Sequence, residues 1–357
     1  MPILILSGGF MTSKNDVHCA IAGLGRIGVS LESDPLREKP ASHMGAIDYN
    51  RTAQLVAGSD PDENKRIAFK SLLPDCAVYA NTELMVEEIK PHILHIASIT
   101  DSHIPILKMA LSAGVPMVVC EKPLSNSLEE ARALLPLIDS SDSVVLVNHE
   151  RRFSRDYREV RGLIRDKAFG ELLSINARLY MGKTRPVSQI LYHDGTHMLD
   201  ILRFLTDENL EILHSEGEPY RKGGQLIVLA RGGSVPIVLD VSGGRDHLVF
   251  ELDLSFEKGR IRIGNGVYEL WSSQESPYYT GFRSLSCTSS GWKGRTAYFS
   301  SMMNHAIELL NNPGRKCESS YGDGLKVLEL IDEILGAYPQ EQNQDSSLEK
   351  TPSSSVV

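Results

Sequence analysis

The stretch HDGTHMLDILRFL, residues 193–205, places His193 four positions before His197, with Asp194 and Asp200 alongside. Two imidazoles at that spacing share one helical face and can bind a metal, move a proton, or simply sit satisfied on a structural helix. Zinc proteases carry a similar pair in mid-helix with a glutamate between. Here an aspartate replaces it, Gly195 suggests a helix start and no third ligand is evident, so no metal is expected. Proton transfer near neutral pH suits an imidazole, whose ordinary pKa is ~6.5. Met198, Ile201, Leu202 and Leu205 form the helix's apolar face and need no function.

A second chemical signal is AIAGLGRIG, with Gly23, Gly25 and Gly28 spaced G-x-G-x-x-G after an apolar run. Gly23 permits a tight turn, Gly25 lets a pyrophosphate approach the backbone, and Gly28 lets the new helix lie close to its strand. The phosphate would sit on that helix's N-terminus. The expected carboxylate partner is Asp60 in LVAGSDPD, 32 positions beyond Gly28. The usual offset is shorter, roughly 20 residues, and an enlarged segment containing LREKPASHMGAIDYN accounts for the excess. A carboxylate there repels a 2′-phosphate, which favours NAD over NADP; the plainer alternative is that Asp60 only caps the following helix.

These residues need a scaffold, and its pattern is legible. Six apolar runs, at 17–23, 53–59, 76–80, 92–98, 116–120 and 143–149, alternate with helical segments such as HIPILKMALSAG. That is the signature of a parallel, doubly wound sheet. After Arg151 the pattern changes to a helix at 156–166, a strand at 171–182, the histidine-bearing helix, four strand-like runs between Gln225 and Ser272, and two helices near 298–310 and 323–335. Phe250, Leu252, Leu254 and Phe256 alternate as on a half-buried antiparallel strand. The fold class is therefore α/β, a Rossmann domain plus an α/β domain with an open, mainly antiparallel sheet. The expected division is 14–150 for dinucleotide binding, 151–338 for substrate binding and oligomerisation, and a disordered tail at 339–357.

MVVCEKPLS puts Glu121, Lys122 and Pro123 at the C-terminal end of the fifth run, where open α/β sheets bind ligands. AGLGRIG, TDSHIPILKMALSAGVPMVVCEKPLS, ERRFSRDYREVRGLIRDKAFGEL and DGTHMLD, in this order, resemble the Gfo/Idh/MocA family of nicotinamide-dependent oxidoreductases over roughly residues 16–337. The resemblance implies hydride transfer between the nicotinamide and a hydroxyl or keto carbon of a sugar, polyol or nucleotide-sugar-like substrate. It implies Lys122 beside the reacting hydroxyl, stabilising the alkoxide, and His197 as acid/base. Pro123 matches a family proline often preceded by an unusual peptide bond. The family's helix motif is similar to D-x-G-x-H-x-x-D; its first aspartate is replaced by His193, with Asp194 shifted one place, so a relay, a substrate contact and an N-cap stay open for the pair. The expected cofactor set is Gly23, Leu24, Gly25, Arg26, Ile27, Gly28, Asp60, Ser98, Thr100, His103, Glu121 and Lys122. The alternative is an NAD-binding regulator or scaffold of the same fold, which would have no use for an intact Lys122 and His197.

Arg152, Lys183 and Arg185, with Tyr192, are substrate candidates; Arg151 and His149 lie near them in sequence. Convergence of two or more of these cations on the cleft would indicate an anionic substrate. A net charge of −9 argues against nucleic acid or anionic membrane as partner. The five scattered cysteines, with no C-x-x-C pair, argue against a disulfide framework and suit a reducing cytosol. No run is long enough to span a bilayer, and the opening MPILILSGGF lacks a signal peptide's basic flank. A cytoplasmic homodimer or homotetramer is expected, paired through the open sheet; translation can begin at Met1 or Met11.

Overall fold

The computed structural model describes residues 17–291, 296–312 and 314–339. The expected N-terminal extension and most of the expected disordered tail lie outside these.

Chain order in the first half is β1 (Val17–Ala22), α1 (His43–Tyr49), β2 (Ala53–Ser59), α2 (Glu63–Leu72), β3 (Ala77–Tyr79) and α3 (Thr82–Ile89). There follow β4 (Ile93–Ile96), α4 (His103–Ser112), β5 (Met117–Cys120), α5 (Leu128–Ala133), α6 (Leu135–Ser140) and β6 (Val144–Val147). The six strands form one parallel sheet in the order β3-β2-β1-β4-β5-β6. This is the doubly wound order whose crevice lies where the connections reverse, between β1 and β4. All six apolar runs became strands, because β4 and β5 are buried on both faces and need continuous apolar sequence.

The first crossover departs from expectation. No α-helix starts at the glycine turn; a short 3₁₀ turn at Ser30–Ser33 leads into a surface excursion, and α1 begins only at His43. The His43 and Met44 amides donate to the Ile27 and Gly28 carbonyls at 3.0 and 2.9 Å, so the helix resumes where the turn left it. The excursion therefore interrupts the crossover without displacing it, and this accounts for Asp60's long offset. Glu38, within it, accepts from the Thr296 and Ala297 amides at 2.7 and 3.0 Å and pins the excursion to the start of a late helix.

The second half contains α7 (Arg155–Arg165), β7 (Leu172–Met181), α8 (Val187–Ile190) and α9 (Thr196–Thr206). Strands β8 (Leu210–Gly217), β9 (Gln225–Gly232), β10 (Val235–Ser242), β11 (Leu248–Phe256), β12 (Gly259–Gly264), β13 (Val267–Glu275) and β14 (Arg283–Ser290) precede α10 (Tyr298–Asn311) and α11 (Tyr321–Gly336). Eight strands form one sheet ordered β14-β13-β12-β11-β7-β10-β9-β8, antiparallel except at β7 and β10. The four runs between Gln225 and Ser272 are five strands, and β8 and β14 flank them. One sheet face packs on α7, α9 and α11 through Phe250, Leu252, Leu254 and Phe256, as their alternation predicts. The other carries Arg178, Glu251, Arg262 and Glu269, linked at 2.8–3.1 Å across four strands.

The expected boundary after residue 150 does not separate the cores. Phe299, Met302, Met303 and Ala306 of α10 bury against the first sheet, and α11 contributes Leu325 and Leu328 to one core and Ile331 and Ile334 to the other. At the junction Arg152 donates from Nε and Nη2 to both carboxylate oxygens of Asp200 on α9, each at 2.7 Å. It also reaches Asp323 on α11 at 3.1 Å and the Glu318 carbonyl at 2.6 Å. Asp200 is 1% exposed, so its charge must be met from within the protein. Removing one partner of such a buried pair costs about 3–5 kcal/mol. Arg152→Ala is therefore expected to lower unfolding free energy by roughly that amount in urea titrations; a loss below about 1 kcal/mol would show the pair to be dispensable.

Candidate active site

Loops at the C-terminal edge of the parallel sheet and the start of α9 enclose a cleft of about 1250 Å³. Its floor is the glycine turn. Gly23 has φ +102°, and a Cβ there would meet the Ser98 amide nitrogen at 2.5 Å, while one on Gly28 would meet the Gly23 carbonyl at 2.2 Å. Gly25 has nothing within 4 Å of its would-be Cβ, so the middle of the turn presents open backbone to the cleft. A dinucleotide's pyrophosphate needs such a cradle, and the turn fits it.

Asp60 lines the same cleft and is 5% exposed. Its Oδ2 accepts from the Leu24 amide at 2.9 Å and its Oδ1 from the Asp62 amide at 3.0 Å. The cap of α2 is Asp62, whose side chain accepts from Asn64, so the capping alternative for Asp60 fails. Asp60 instead ties the glycine turn to the end of β2, and the Lys65 ammonium reaches its Oδ2 at 3.4 Å. Arg26, Ile27, Ser98, Thr100, His103 and Glu121 also border the cleft; Leu24 is buried and takes part through its amide.

Lys122 follows β5 and precedes Pro123 through a cis peptide bond, and its Nζ donates to the His193 carbonyl at 2.8 Å. The preceding Glu121 anchors it. Burial would raise the Glu121 carboxyl, but hydrogen bonds from His43 (2.9 Å) and Asn148 (2.6 Å), with the charges of His43 and Lys122, hold it below its ordinary value. His43 sits at the start of α1 and its other nitrogen meets His95 at 2.9 Å. The excursion thus delivers a buttress to the lysine loop.

The histidine helix does not begin at Gly195. From Val187 to Thr206 the chain is helical, with a π-turn over Leu191–Gly195 that holds His193, Asp194 and Gly195. Asp194 is accordingly no N-cap: its Oδ2 pairs with His193 Nδ1 at 2.6 Å. Burial acts to raise the Asp194 carboxyl, but the His193 hydrogen bond and the Lys122 charge hold it low. π-turns often mark functional sites because the extra residue re-aims side chains. His193, Asp194, His197 and Lys122 all line the cleft. Burial, then Lys122 and Arg151, drive the His197 imidazole well below its ordinary pKa, and among the described residues its Nδ1 has no hydrogen-bond partner. The neutral form of the imidazole is therefore the favoured one. Among the described residues no group of three or more His, Cys, Asp or Glu could hold a metal.

The substrate cations do not converge. Arg152 is locked to Asp200 and Asp323 and is not available to a ligand; Lys183 and Arg185 line neither this cleft nor the cavity beside it, and the Arg185 amide donates to the Gly243 carbonyl at 3.1 Å. Arg151 lies with its guanidinium 3.5 Å from the Phe250 ring centroid and donates to Asn265. The ground for an anionic substrate therefore lapses. Tyr192 borders a neighbouring cavity. Sequence reasoning missed Arg37 and Glu150, which line the cleft, and the His43 and Asn148 supports. Asn148 could have been flagged because it follows β6 at the ligand-binding edge; Arg37 lies in an excursion with no periodic signal.

Residues 17–149 match the model of the oxidoreductase family with NAD-binding Rossmann fold, GFO_IDH_MocA. An uncharacterized oxidoreductase of Schizosaccharomyces pombe is 26% identical over 142 residues, 37% of this chain and 38% of that protein. An inositol 2-dehydrogenase of Corynebacterium glutamicum strain R is 26% identical over 239 residues, 63% of this chain and 70% of that protein. The fold also superimposes on an oxidoreductase of Agrobacterium radiobacter crystallised with NAD+, L-tartaric acid and magnesium, with TM-score 0.69 and 20% identity over 90% of this chain and 97% of that one. No helix among the described residues is long and apolar enough to cross a membrane.

Burial lowers the pKa of His95, His103, His149, His197 and His305 in the folded state. The unfolded chain, with histidines near ~6.5, takes up protons first on acidification, so this stability is present above that pH and lost below it. Glu150, raised by burial, works in the opposite direction but is a single group. The unfolding free energy should therefore fall between pH 7.5 and 5.5, by about 1.4 kcal/mol per pH unit for each proton taken up, and urea midpoints should fall with it. Equal midpoints would contradict neutral burial of these histidines.

Proposed function

We propose, on the premise that this chain belongs to the Gfo/Idh/MocA oxidoreductase family, that it is an NAD-dependent dehydrogenase or reductase acting on a CH–OH group of a sugar or polyol. The observation that carries this is the shared cleft: an open glycine cradle and Asp60 at one end, Lys122 and a neutral His197 at the other. The inositol 2-dehydrogenases among its relatives support the substrate class.

When bound on the glycine turn and Asp60, NAD supplies the hydride acceptor of alcohol oxidation. The protein does the rest. Lys122 offers a fixed positive charge to the hydroxyl oxygen and stabilises the developing alkoxide. His197 takes the hydroxyl proton as the C–H electron pair leaves carbon and the C=O bond forms. The nearby cations that depress its pKa make the resulting imidazolium a ready acid, so reduction of the ketone returns the same proton. Asp194 and His193, hydrogen-bonded to each other at the cleft wall, orient the substrate or pass that proton outward.

Lys122→Ala and His197→Ala should each lower turnover roughly 10²-fold or more while leaving NAD affinity nearly intact, with non-additive losses in the double variant. NADH absorbance at 340 nm with a panel of sugars and polyols reads this. Full activity in His197→Ala would remove its role, and bound NAD without turnover on any substrate would favour a regulator or scaffold.

For the cofactor, we propose a preference for NAD over NADP, because Asp60 would face a 2′-phosphate. Calorimetric titration should give at least tenfold tighter binding of NAD, narrowed in Asp60→Asn; tighter NADP binding would overturn the assignment. Self-association through the outer face of the large sheet completes the proposal. Its charged strip across β7, β11, β12 and β13 lies clear of the helices and can pair with a second copy. Light scattering tests it, and a monomer at micromolar concentration would count against it.

A further inference from the structure

Beside the reaction cleft lies a second cavity, of about 650 Å³. Thr100 and His193 line both spaces, so the two adjoin at the π-turn. The size is ample for a small ligand ring. Its walls come from the helix leading into the π-turn (Ser188, Gln189), from Tyr192 in the turn itself, from Tyr220, and from the end of α11 with Asp332 and Tyr338.

Their chemistry is selective. Three tyrosine rings offer flat apolar faces, and the amide and carboxylate groups of Gln189 and Asp332 offer hydrogen bonds. Among the described residues no lysine or arginine lines it, and Asp332 brings a negative charge. The Tyr220 hydroxyl is already spent on the Leu335 carbonyl at 3.3 Å, which fixes the ring and leaves its face for packing. Burial, with Asp332 and Tyr220 close by, raises the Tyr192 hydroxyl's pKa, so that it stays a neutral donor. Such a wall suits a ring with apolar C–H faces and hydroxyl edges, and it repels phosphate.

We propose that this cavity is a second saccharide subsite, and that the substrate is a neutral glycoside. Its reacting ring lies at Lys122 and His197, and its second ring passes His193 to rest on Tyr192 and Tyr220 with hydroxyls on Asp332 and Gln189. Only the placement of the reacting ring rests on the dehydrogenase reading. The subsite excludes nucleotide sugars, whose diphosphate would face Asp332.

Equilibrium binding separates the two claims because it needs no turnover. The NADH-loaded protein is titrated with glucose, a panel of α- and β-linked glucose disaccharides and UDP-glucose, followed by calorimetry and by saturation-transfer NMR. At least one disaccharide should bind roughly tenfold more tightly than glucose, the scale of one hydrogen bond to a charged group. Asp332→Arg, at an exposed helical position, should abolish that advantage without altering glucose binding, and Gln189→Ala should reduce it. Equal affinities for glucose and every disaccharide, tighter binding of UDP-glucose, or an advantage that survives both substitutions would overturn the subsite. Preserved disaccharide preference with no turnover on any sugar would instead overturn the dehydrogenase reading and leave the subsite standing.

Discussion

The arrangement depends on one buried carboxylate. Asp200 sits on α9 three residues after His197, 1% exposed, and is met by Nε and Nη2 of Arg152 and by His149 at 3.2 Å. A charge that deep cannot stay unpaired, so α9 has one seat on the first domain: the one that brings Asp200 to the segment leaving β6. Because His197 and Asp200 share one helix, the same seat fixes the imidazole against the lysine loop. The pair also reaches Asp323 at the capped start of α11, so three elements are registered by one guanidinium.

A second constraint works from the other side of the cleft. The excursion at 30–42 leaves the glycine turn and returns the chain to α1, whose His43 meets Glu121 next to Lys122. The cofactor cradle and the lysine are in this way held by a single connection. The excursion's own outer end is fixed by Glu38 at the start of α10, an element that is late in sequence but packs in the first core. The site is thus braced by parts of the chain far apart in sequence, and this lets the reacting groups occupy loops without being loose.

Much of this was legible in the sequence. Continuous apolar runs are forced on strands buried on both faces, so the parallel sheet, the glycine turn and Asp60 could be read directly. The long offset to Asp60 announced an insertion, though its path could not be read because the His43 and Met44 bonds to Ile27 and Gly28 are not local patterns. Serine-rich β14 lies outside the expected strand runs and is held in the sheet by pairing with β13. Gly195 suggested a helix start; packing carried the helix through it by way of the π-turn. Arg152 looked like a substrate ligand because sequence shows charge and not partners, and Asp200 lies 48 positions away.

The Arg152–Asp200 pair sets the position of His197, the proposed proton acceptor, and lies apart from the residues proposed to hold the cofactor. Asp200→Asn keeps the side chain's shape and removes its charge. The deciding measurement is turnover at saturating substrate beside calorimetric NAD affinity, on protein shown folded by circular dichroism. NAD affinity is expected within about twofold of the parent and turnover lowered at least tenfold, the scale for displacement of a positioned acid/base group. Unchanged turnover, or a loss confined to NAD affinity, would contradict it.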